Sequence, residues 1–425
     1  MKKRIYILFI LIFTSINAIA QNCVVASVDF EDLKKTNSSF LKKLIHTKQG
    51  LKLNTTTLDK DITRLIRLPA IANASYTIQE SQLGCIIKIK VQENFTLIPT
   101  ADFFQTTDEQ VNEIAYTIGL TEHNLFKRSI SLGAWYQRNV FDSYSISLNA
   151  PYLFSPKTGL SVSYNNLTTQ EPVFFTDGTV NFKYNNESLE VLGLHQFNFK
   201  NNLVFGVNVF REQYNTAIEN TIGIEGAKAD FSFDKILFKS IYTHDNLKYF
   251  FQYISGFKSQ LNLQYVTSDD ERVSNFLIGW NDFLYYKRVK ERGNWATRLR
   301  LGLSSNSDSP FAPFSVDNNL NVRGVGSQID RGTGIIALNT EYRYTLKEKD
   351  WYAIQTNVFL DTGTWRNPGG DFSDFADINN VRIFPGVGLR FIHKKIFNLT
   401  FRADFGYGII NNDPSGLVFG VGQYF

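Results

Sequence analysis

The sequence predicts a mostly β protein, a transmembrane antiparallel β-barrel of about 16 strands preceded by one small α+β domain. Three observations support this prediction. Aromatic residues are abundant, with 37 Phe, 20 Tyr and 5 Trp against one Met. From about Ser129 onward, apolar and small polar residues alternate with a period of two. Residues 24–94 instead mix strand and helix periodicity. A soluble β-sandwich enzyme is the alternative interpretation of the same composition.

The N-terminal segment has the pattern of an export signal. Residues 2–4 are basic, residues 5–13 form an unbroken apolar run, and residues 18–20 are Ala-Ile-Ala, as at a cleavage site. The apolar run is too short to span a bilayer as a helix. We therefore expect residues 1–20 to be a signal peptide, with a retained anchor helix as the alternative.

Residues 21–94 are predicted to form an α+β domain of element order β-α-α-β-β. Apolar spacing and capping residues define the helices, and short alternating runs define the strands. The predicted elements are a strand at residues 24–32, a helix capped by Ser38 or Ser39, a helix capped by Thr57, a strand at residues 74–80 and a strand at residues 85–91.

Residues 129–425 are predicted to form the barrel, after a connector at residues 95–128. The clearest strand is residues 397–409, where large or apolar residues alternate with polar or small ones over a full membrane crossing. About 14 such strands can be identified directly. Because a closed barrel pairs all its backbone polar groups and has an even strand number, about 16 are expected.

Composition and motifs argue against several functions. The net charge of +4 on 425 residues predicts no nucleic-acid partner. The five His are scattered without metal-ligand spacing, and no Gly-x-Ser-x-Gly elbow is present. We therefore predict no catalytic residue, no metal and no cofactor. An outer-membrane hydrolase with Ser, His and Asp in the barrel wall remains the enzymatic alternative.

A glycine-rich polar loop contains Arg323, and two predicted strands after it carry inward acidic residues, Glu341 and Asp361. An arginine in a barrel lumen needs acceptors because it always stays charged, and two carboxylates on adjacent strands can take its five donors. Gly324 permits the tight backbone of a loop that folds back inside. We predict that these four residues form a latch in the lumen. The alternative is an Arg323 exposed on a surface loop.

The loop and the strands after it resemble the superfamily of BamA/TamA-type assembly proteins and their secretion relatives, the bacterial surface antigen family. Val322-Arg323-Gly324 is similar to the family's V-R-G-aromatic motif, although Val325 replaces the aromatic residue. Residues 359–363 resemble its aromatic-x-Asp-x-Gly strand. The chain end resembles the targeting signal of bacterial outer-membrane barrels, with Gln423 where an apolar residue is usual. The residues of this predicted seam and targeting end are Phe419, Val421, Tyr424 and Phe425.

The order β-α-α-β-β, with Gly50 between the helices, resembles a POTRA domain. The resemblance implies that the strands beginning at Val24 and Cys85 are parallel neighbours. Cys23 and Cys85 then lie at the same end of the sheet, and an oxidising compartment permits a disulfide between them. Two free thiols are the alternative.

The resemblance implies an outer-membrane protein of a Gram-negative bacterium with its POTRA-like domain in the periplasm. Its function would be to insert or translocate polypeptides, with no covalent step. The domain would capture extended outer-membrane or secreted polypeptides by strand addition at residues 74–80. The barrel would open or thin the surrounding outer-membrane lipid at a seam between residues 129–139 and the glycine-rich residues 416–425. The alternatives are a dedicated secretion pore for one partner protein and a passive channel.

Overall fold

The computed structural model describes residues 23–105, 114–175, 178–215, 230–306, 312–316, 321–326, 330–397, 399–411 and 413–425. The predicted signal peptide, residues 1–20, lies outside these residues. The described residues divide into two compact units, one within Met1–Phe95 with Phe126–Ser129 and one within Thr96–Leu125 with Ile130–Phe425. We call them the N-terminal unit and the barrel. Among the described residues, no helix has the length and apolar character needed to cross a membrane.

The N-terminal unit is a three-stranded sheet with two helices. Its elements are β1 (Val25–Glu31), α1 (Ser38–Leu44), α2 (Thr55–Ile66), β2 (Ile71–Ser81) and β3 (Gly84–Glu93). The strand order is β1-β3-β2, with β1 parallel and β2 antiparallel to β3. The pairing of β1 with β3 begins at Val25 opposite Cys85. The predicted element order and the predicted parallel neighbours are therefore confirmed.

Both helices are capped by asparagine, which differs from the predicted caps. The Asn37 side chain accepts a hydrogen bond from the backbone N–H of Ser39 at 2.9 Å, ahead of the predicted cap at Ser38 or Ser39. The Asn54 side chain accepts one from the backbone N–H of Thr57 at 3.0 Å, so Thr57 lies in the first turn. Asn, Ser and Thr cap by the same mechanism, so the sequence indicates the region of the cap more reliably than the residue.

The core of the N-terminal unit lies between the helices and the sheet. Leu41, Leu58 and Leu65 of the helices are completely buried, as are Ile87 and Ile89 of β3. Burying such a side chain contributes about 1.5–3 kcal/mol relative to leaving it exposed. This core explains why a unit of this size folds around three strands.

A disulfide joins Cys23 to Cys85, with Cα atoms 5.9 Å apart and a sequence separation of 62. We expect Cys85→Ser to lower the free energy of unfolding of the N-terminal unit by about 4 kcal/mol, because the bond restricts the unfolded chain. Limited proteolysis of the full-length variant should show the loss, and reductant should have the same effect on the wild type. Mass spectrometry of the unreduced protein tests the bond itself. Two free thiols in protein purified without reductant would contradict it.

One carboxylate holds the segment before α1 against β3. The Glu93 carboxylate accepts hydrogen bonds from the backbone N–H groups of Lys34 at 2.7 Å, Lys35 at 2.9 Å and Thr36 at 2.6 Å. Burial by itself raises the pKa of Glu93, but these hydrogen bonds outweigh it, so the pKa lies below its ordinary value. The contact is therefore sensitive to acid.

The contribution of Glu93 should be present in full above the unfolded-state pKa of about 4.3 and lost as the pH falls through the lower folded-state pKa. We expect hydrogen exchange at the amides of Lys34, Lys35 and Thr36 to accelerate below about pH 4 relative to Glu93→Gln at the same pH. The Gln side chain keeps the size but does not titrate. Identical pH profiles for the two proteins would show that the carboxylate does not control this segment.

The barrel unit contains the remaining strands of the described chain. They are β4 (Leu97–Gln105), β5 (Ile114–Leu125), β6 (Ile130–Asn139), β7 (Phe141–Ser155), β8 (Thr158–Phe175), β9 (Gly178–Gln196), β10 (Asn201–Asn215), β11 (Phe231–Asp245), β12 (Lys248–Phe250), β13 (Tyr253–Ser268), β14 (Phe276–Val289), β15 (Gly293–Ser304), β16 (Phe314–Ser315), β17 (Arg331–Gly332), β18 (Gly334–Glu348), β19 (Tyr352–Arg366), β20 (Val381–His393), β21 (Thr400–Tyr407) and β22 (Ser415–Val421). Within the described ranges, sixteen of them close an antiparallel barrel, as predicted. β12 is a three-residue strand paired with β13, and β16 and β17 form a separate ribbon.

The barrel begins earlier than predicted, because β4 and β5 lie within the predicted connector at residues 95–128. Pro99 lies inside β4 and argues against a central strand. It is tolerated because the β22 side of β4 is paired at Phe103 alone among the described residues. β5 carried a usable signal, since Ile118 and Leu120 alternate with polar or small residues and both are half-exposed on the outer face. The two strands beyond the fourteen identified directly are therefore β4 and β5.

The seam also differs from the prediction. The last strand, β22, pairs with β4 and not with residues 129–139, and the described contact is the single residue pair Phe419 and Phe103. Residues 130–139 form β6, which pairs with β5 and β7. A strand boundary at residue 129 is real, but it separates β5 from β6 and is not the start of the barrel.

The strands present apolar residues outward and polar residues inward, as the alternation predicts. In β21, Phe401 and Phe405 are half-exposed on the outside, whereas Asp404 is completely buried inside. Described residues of the connection between β15 and β18 also lie inside. Phe314, Val316, Val322 and Val325 of this connection are buried against residues of the barrel wall. The described parts of this segment therefore pack in the lumen, and we call them the luminal loop.

Candidate functional site

The luminal loop passes directly over the backbone of β21 and β22 at three glycines. Gly324 has a φ of +90°, and a Cβ atom there would lie 2.7 Å from the carbonyl oxygen of Gly406. A Cβ on Gly416 would lie 2.9 Å from the carbonyl oxygen of Gly324. Only residues without a side chain permit this approach. The crossing fixes the position of the neighbouring side chain, that of Arg323, which directly precedes Gly324.

Arg323 is completely buried and is bound to Asp361 of β19 by three hydrogen bonds. Its Nε donates to Oδ2 at 2.8 Å and its Nη2 to Oδ1 at 3.0 Å, a bidentate arrangement. Its backbone N–H donates to the same Oδ2 at 3.0 Å. Asp361 is itself completely buried. The carboxylate therefore binds both the side chain and the backbone of the loop.

Glu341 of β18 receives the remaining end of the guanidinium. Nη1 of Arg323 donates to Oε2 at 2.7 Å. The same oxygen accepts from Asn357 at 3.2 Å, and the other oxygen accepts from Nε of Arg343. Arg390 adds a contact of 3.5 Å. The structure thus brings together the four residues of the predicted latch, and it places Glu341 between three arginines.

Two aromatic rings cover the Arg323 guanidinium. Its Cζ lies 3.7 Å from the ring centroid of Phe359 and 4.2 Å from that of Tyr424. Because the edges of the guanidinium are occupied by carboxylates, the rings lie over its faces. Aromatic rings attract a cation in this position, and the gain is larger where water is excluded. Arg323 is therefore bound on its edges by charge and on its faces by aromatic contact.

The site extends beyond the residues that the sequence identified. Asp404 of β21 is completely buried and accepts from Nη1 of Arg390 at 2.9 Å, and its Oδ1 lies 3.6 Å from Nη1 of Arg323. Arg343 and Arg390 are completely buried as well. The signal that could have found them is the one that found Glu341, a charged residue on the inward face of an amphipathic strand. Register was needed to show that they meet.

The four residues of the predicted seam and targeting end divide into two pairs. Phe419 and Val421 lie in β22 at the seam, with Phe419 half-exposed on the outer face. β22 ends at Val421, four residues before the end of the predicted strand. Tyr424 contacts Arg323, and the ring of Phe425 lies 6.5 Å from that of Tyr286. This second pair therefore contacts luminal side chains, not the outer surface.

The charged groups of the cluster attach the luminal loop to the barrel wall. Each of its three carboxylates, Glu341, Asp361 and Asp404, accepts hydrogen bonds from arginine and so neutralises a buried charge. No three His, Cys, Asp or Glu side chains within the described ranges form a group that could hold a metal. The arrangement binds the luminal loop to strands β18, β19 and β21.

The sequence matches no protein-family model and no curated protein. Solved structures share the fold. CdiB from Escherichia coli has a TM-score of 0.64 at 12% identity, covering 95% of this chain and 77% of that one. CdiB from Acinetobacter baumannii has a TM-score of 0.59 at 15% identity, covering 95% and 74%.

A crystal structure of BamA from Haemophilus ducreyi lacking POTRA domains 1–3 has a TM-score of 0.55 at 16% identity, covering 94% of this chain and 84% of that one. Identities this low concern the fold alone. The predicted likeness to BamA-type proteins is confirmed at that level. With its closed antiparallel wall and the loop held inside it, the chain has the fold of a BamA-like outer-membrane barrel.

Proposed function

We propose that this chain is a Gram-negative outer-membrane barrel that inserts or translocates polypeptides. The observation that carries the proposal is the luminal loop pinned by Arg323 to Asp361 and Glu341, inside a barrel whose fold matches BamA and CdiB. All three groups are completely buried. The role is one of transport or assembly without a covalent step, since the charged groups of the cluster are engaged with one another.

The N-terminal unit is proposed to be a periplasmic POTRA-like domain that captures extended polypeptides at β2. The order β1-β3-β2 makes β2 an edge strand, and it includes residues 74–80. The other edge is partly covered, because the backbone N–H of Val25 donates to Leu51 at 2.9 Å and that of Leu53 to Cys23 at 2.8 Å. A polar groove is lined by Asn73 and Ser75 of β2, by residues of β3 and by Asp32 and Lys34. An open edge with polar surroundings suits strand addition.

The seam between β4 and β22 is the proposed place where the barrel acts on lipid and client. In the described residues, this is the junction of the wall joined by one residue pair, Phe103 and Phe419. Its neighbours are more fully paired, since β21 and β22 share a ladder from Phe401 and Val421 to Tyr407 and Ser415. Unpaired backbone groups inside a bilayer are costly, so the wall should yield first at this junction.

A dedicated secretion pore for one partner is the second candidate. The supporting observation is the single small sheet of the N-terminal unit, which offers one open edge strand, β2, in the described part of the chain. One edge suits one client better than many. A passive channel would use neither this edge nor the seam.

Depletion of the protein followed by proteomics of the outer membrane and the culture medium tests these functions. Broad loss of barrel proteins from the membrane is expected if the protein is an assembly factor. Loss of one secreted protein would establish dedicated export. An unchanged proteome in both fractions would refute polypeptide transport and leave a channel. Complementation with the wild-type gene is the control for indirect effects.

A further inference from the structure

We propose that the outer face of the barrel holds one phosphate-bearing membrane lipid. One acyl chain of the lipid lies in an apolar cleft over β13, β14, β15 and β18, and its phosphate binds Arg366 at the end of β19. We call this cleft the outer cleft, and its volume is about 380 Å³. That volume lies within the range of ligand pockets, roughly 300–1,000 Å³. The proposal rests on the outer-membrane location in the proposed function, but not on the transport of polypeptides.

The floor of the outer cleft is apolar. Its deeper row stands on four neighbouring strands and consists of Leu261, Asn281, Leu301 and Ile336, each opposite the next in the ladder. The three aliphatic side chains are half-exposed on the outside of the wall. Asn281 contributes a polar side chain, but its amide donates to Oγ of Ser259 at 3.0 Å. The floor therefore offers mainly aliphatic surface to a ligand.

Glycine produces a recess in this floor. The row nearer the strand ends alternates leucine with glycine across the sheet and consists of Leu263, Gly279, Leu303 and Gly334. Within 4 Å, a Cβ atom on Gly279 would meet Cδ2 of Leu263 at 3.3 Å and the carbonyl oxygen of Asn262 at 3.9 Å. The space above Gly279 is therefore open, with a leucine on each side of it.

The roof of the outer cleft is a short 3-10 helix, Phe372–Ala376, in the connection between β19 and β20. Phe372 and Phe375 line the cleft from this helix. A Cβ atom on Gly334 would lie 2.8 Å from Cζ of Phe375, so this ring covers the outer face of β18. The carbonyl oxygen of Phe375 accepts a hydrogen bond from Oγ1 of Thr364 in β19 at 3.1 Å. The roof is therefore attached to the wall and shapes the cleft without a ligand.

Arg366 places a positive charge at the rim of the outer cleft. It is the last residue of β19, and its Cζ lies 6.0 Å from the ring centroid of Phe372. Its Nε donates to Oγ1 of Thr333 at 2.9 Å and its Nη2 to the carbonyl oxygen of Ser304 at 2.7 Å. None of its hydrogen-bond partners in the described part of the chain is a carboxylate. The guanidinium is therefore available to an anion from outside the chain.

The position of Arg366 favours a phosphate as this anion. Lipid headgroups lie at the ends of the strands of a membrane barrel, where the apolar band stops. Arginine always remains charged and binds phosphate through charge-assisted hydrogen bonds. Nη1 of Arg366 donates to no acceptor within the described ranges, so it can donate to a phosphate oxygen. The acyl chain of the same lipid then enters the cleft beside its headgroup.

A lipid fits this cleft better than an extended polypeptide. β14 is paired with both β13 and β15, and β15 with both β14 and β18, so their backbone groups are used within the wall. A polypeptide lying across them in the hydrocarbon would keep unpaired backbone groups, which are costly there, whereas an acyl chain has none. Because lipid tails are as apolar as leucine, the chain gains from close packing in the recess, and the phosphate contact determines which lipid stays.

Photolabelling of the full-length protein in maltoside micelles tests the site. The probe is phosphatidylglycerol with a diazirine in one acyl chain, and diacylglycerol with the same diazirine chain is the comparison without phosphate. Peptide mass spectrometry should find more phosphatidylglycerol label on the segments lining the outer cleft than on the outward residues of β6–β9. Phosphatidylglycerol should label the cleft about tenfold more than diacylglycerol does, the equivalent of one charge-assisted hydrogen bond. Equal labelling by the two lipids would refute the phosphate contact, and equal labelling around the barrel would refute the cleft.

Gly279→Leu fills the recess and should lower labelling of the outer cleft to the level of the rest of the wall. Val191→Leu is the matched control, since Val191 is a half-exposed outward residue of β9, and should change nothing. Arg366→Gln should lower cleft labelling by phosphatidylglycerol about tenfold and leave that by diacylglycerol unchanged. Arg211→Gln removes an arginine that is already paired with Asp234 and should leave both unchanged. Only variants that keep the heat-resistant folded form are compared.

Unchanged labelling in Gly279→Leu, or equal effects of Arg366→Gln and Arg211→Gln, would overturn the proposal. A wild-type dimer that Gly279→Leu converts to a monomer would also overturn it, because a second copy of the chain would then cover the cleft. No client polypeptide enters these measurements, so a failure here leaves the proposed transport function untouched.

Discussion

Arg323→Ala is expected to lower the free energy of barrel unfolding by about 3–5 kcal/mol, because it leaves a buried carboxylate without its counter-charge. Asp361 accepts three hydrogen bonds, and all three come from Arg323. Both side chains are completely buried. Glu341 is less affected, since Arg343 and Arg390 remain beside it. The measurement is the fraction of protein that stays folded and heat-resistant in extracted membranes.

Arg211→Ala is the matched control for this variant. Arg211 binds Asp234 in a bidentate pair at 2.7 and 2.9 Å, but the side chains are 56% and 62% exposed. An exposed pair contributes at most about 1 kcal/mol. Replacing both Arg323 and Asp361 by Leu should recover much of the loss, because the buried Asp361 carboxylate is then no longer left without its counter-charge. Equal folded fractions for Arg323→Ala and Arg211→Ala would rule out the latch.

Gly324→Ala is expected to have the next largest effect on the barrel and to detach the luminal loop from β21. The new Cβ would lie 2.7 Å from the carbonyl oxygen of Gly406 and 2.8 Å from its Cα, and neither backbone atom can rotate away. The positive φ adds about 1 kcal/mol of strain. Together the two effects should cost about 2–4 kcal/mol. Heat resistance falls, and Arg323 loses its alignment with Asp361.

Gly369→Ala separates the two contributions. Gly369 has a φ of +75°, but an added Cβ would meet no atom within 4 Å. Its substitution therefore carries the backbone strain without the clash and should cost about 1 kcal/mol. If both alanine variants lose the same folded fraction, the close contact between Gly324 and Gly406 does not contribute to holding the luminal loop.

The barrel architecture could be predicted because it follows from the alternation of residues within each strand, which is visible in the local sequence. A strand between lipid and a polar lumen must alternate, and the outward Phe401 and Phe405 with the inward Asp404 display this within one segment. Pro99 obscured β4, since its tolerance depends on the neighbouring edge and not on β4 itself. Glu341 and Asp361 could be predicted for the same reason as the strands, as charged residues on an inward face.

Features that depend on register or on distant partners could not be predicted. Arg390 stands directly opposite Arg402, a like-charged pair, and its acidic partner Asp404 is reached diagonally. Only the register of β20 against β21 shows that Asp404 lies close enough to neutralise Arg390. The chain end is a second case. Gln423 interrupts the apolar face of β22 formed by Leu417, Phe419 and Val421, but the local sequence does not show that residues 423–425 turn inward to Arg390 and Arg343.

The contact of Gly324 with Gly406 and Gly416 also affects the stability of the barrel wall beside the junction of β4 and β22. β21 and β22 are the strands next to the seam, and the luminal loop touches both through Gly406 and Gly416. The loop is in turn anchored by Arg323 to β18 and β19. The luminal loop therefore links β21 and β22 to β18 and β19 from inside the barrel, and this link does not depend on β4. When β4 separates from β22, β21 and β22 therefore keep their contacts with the luminal loop and can stay folded.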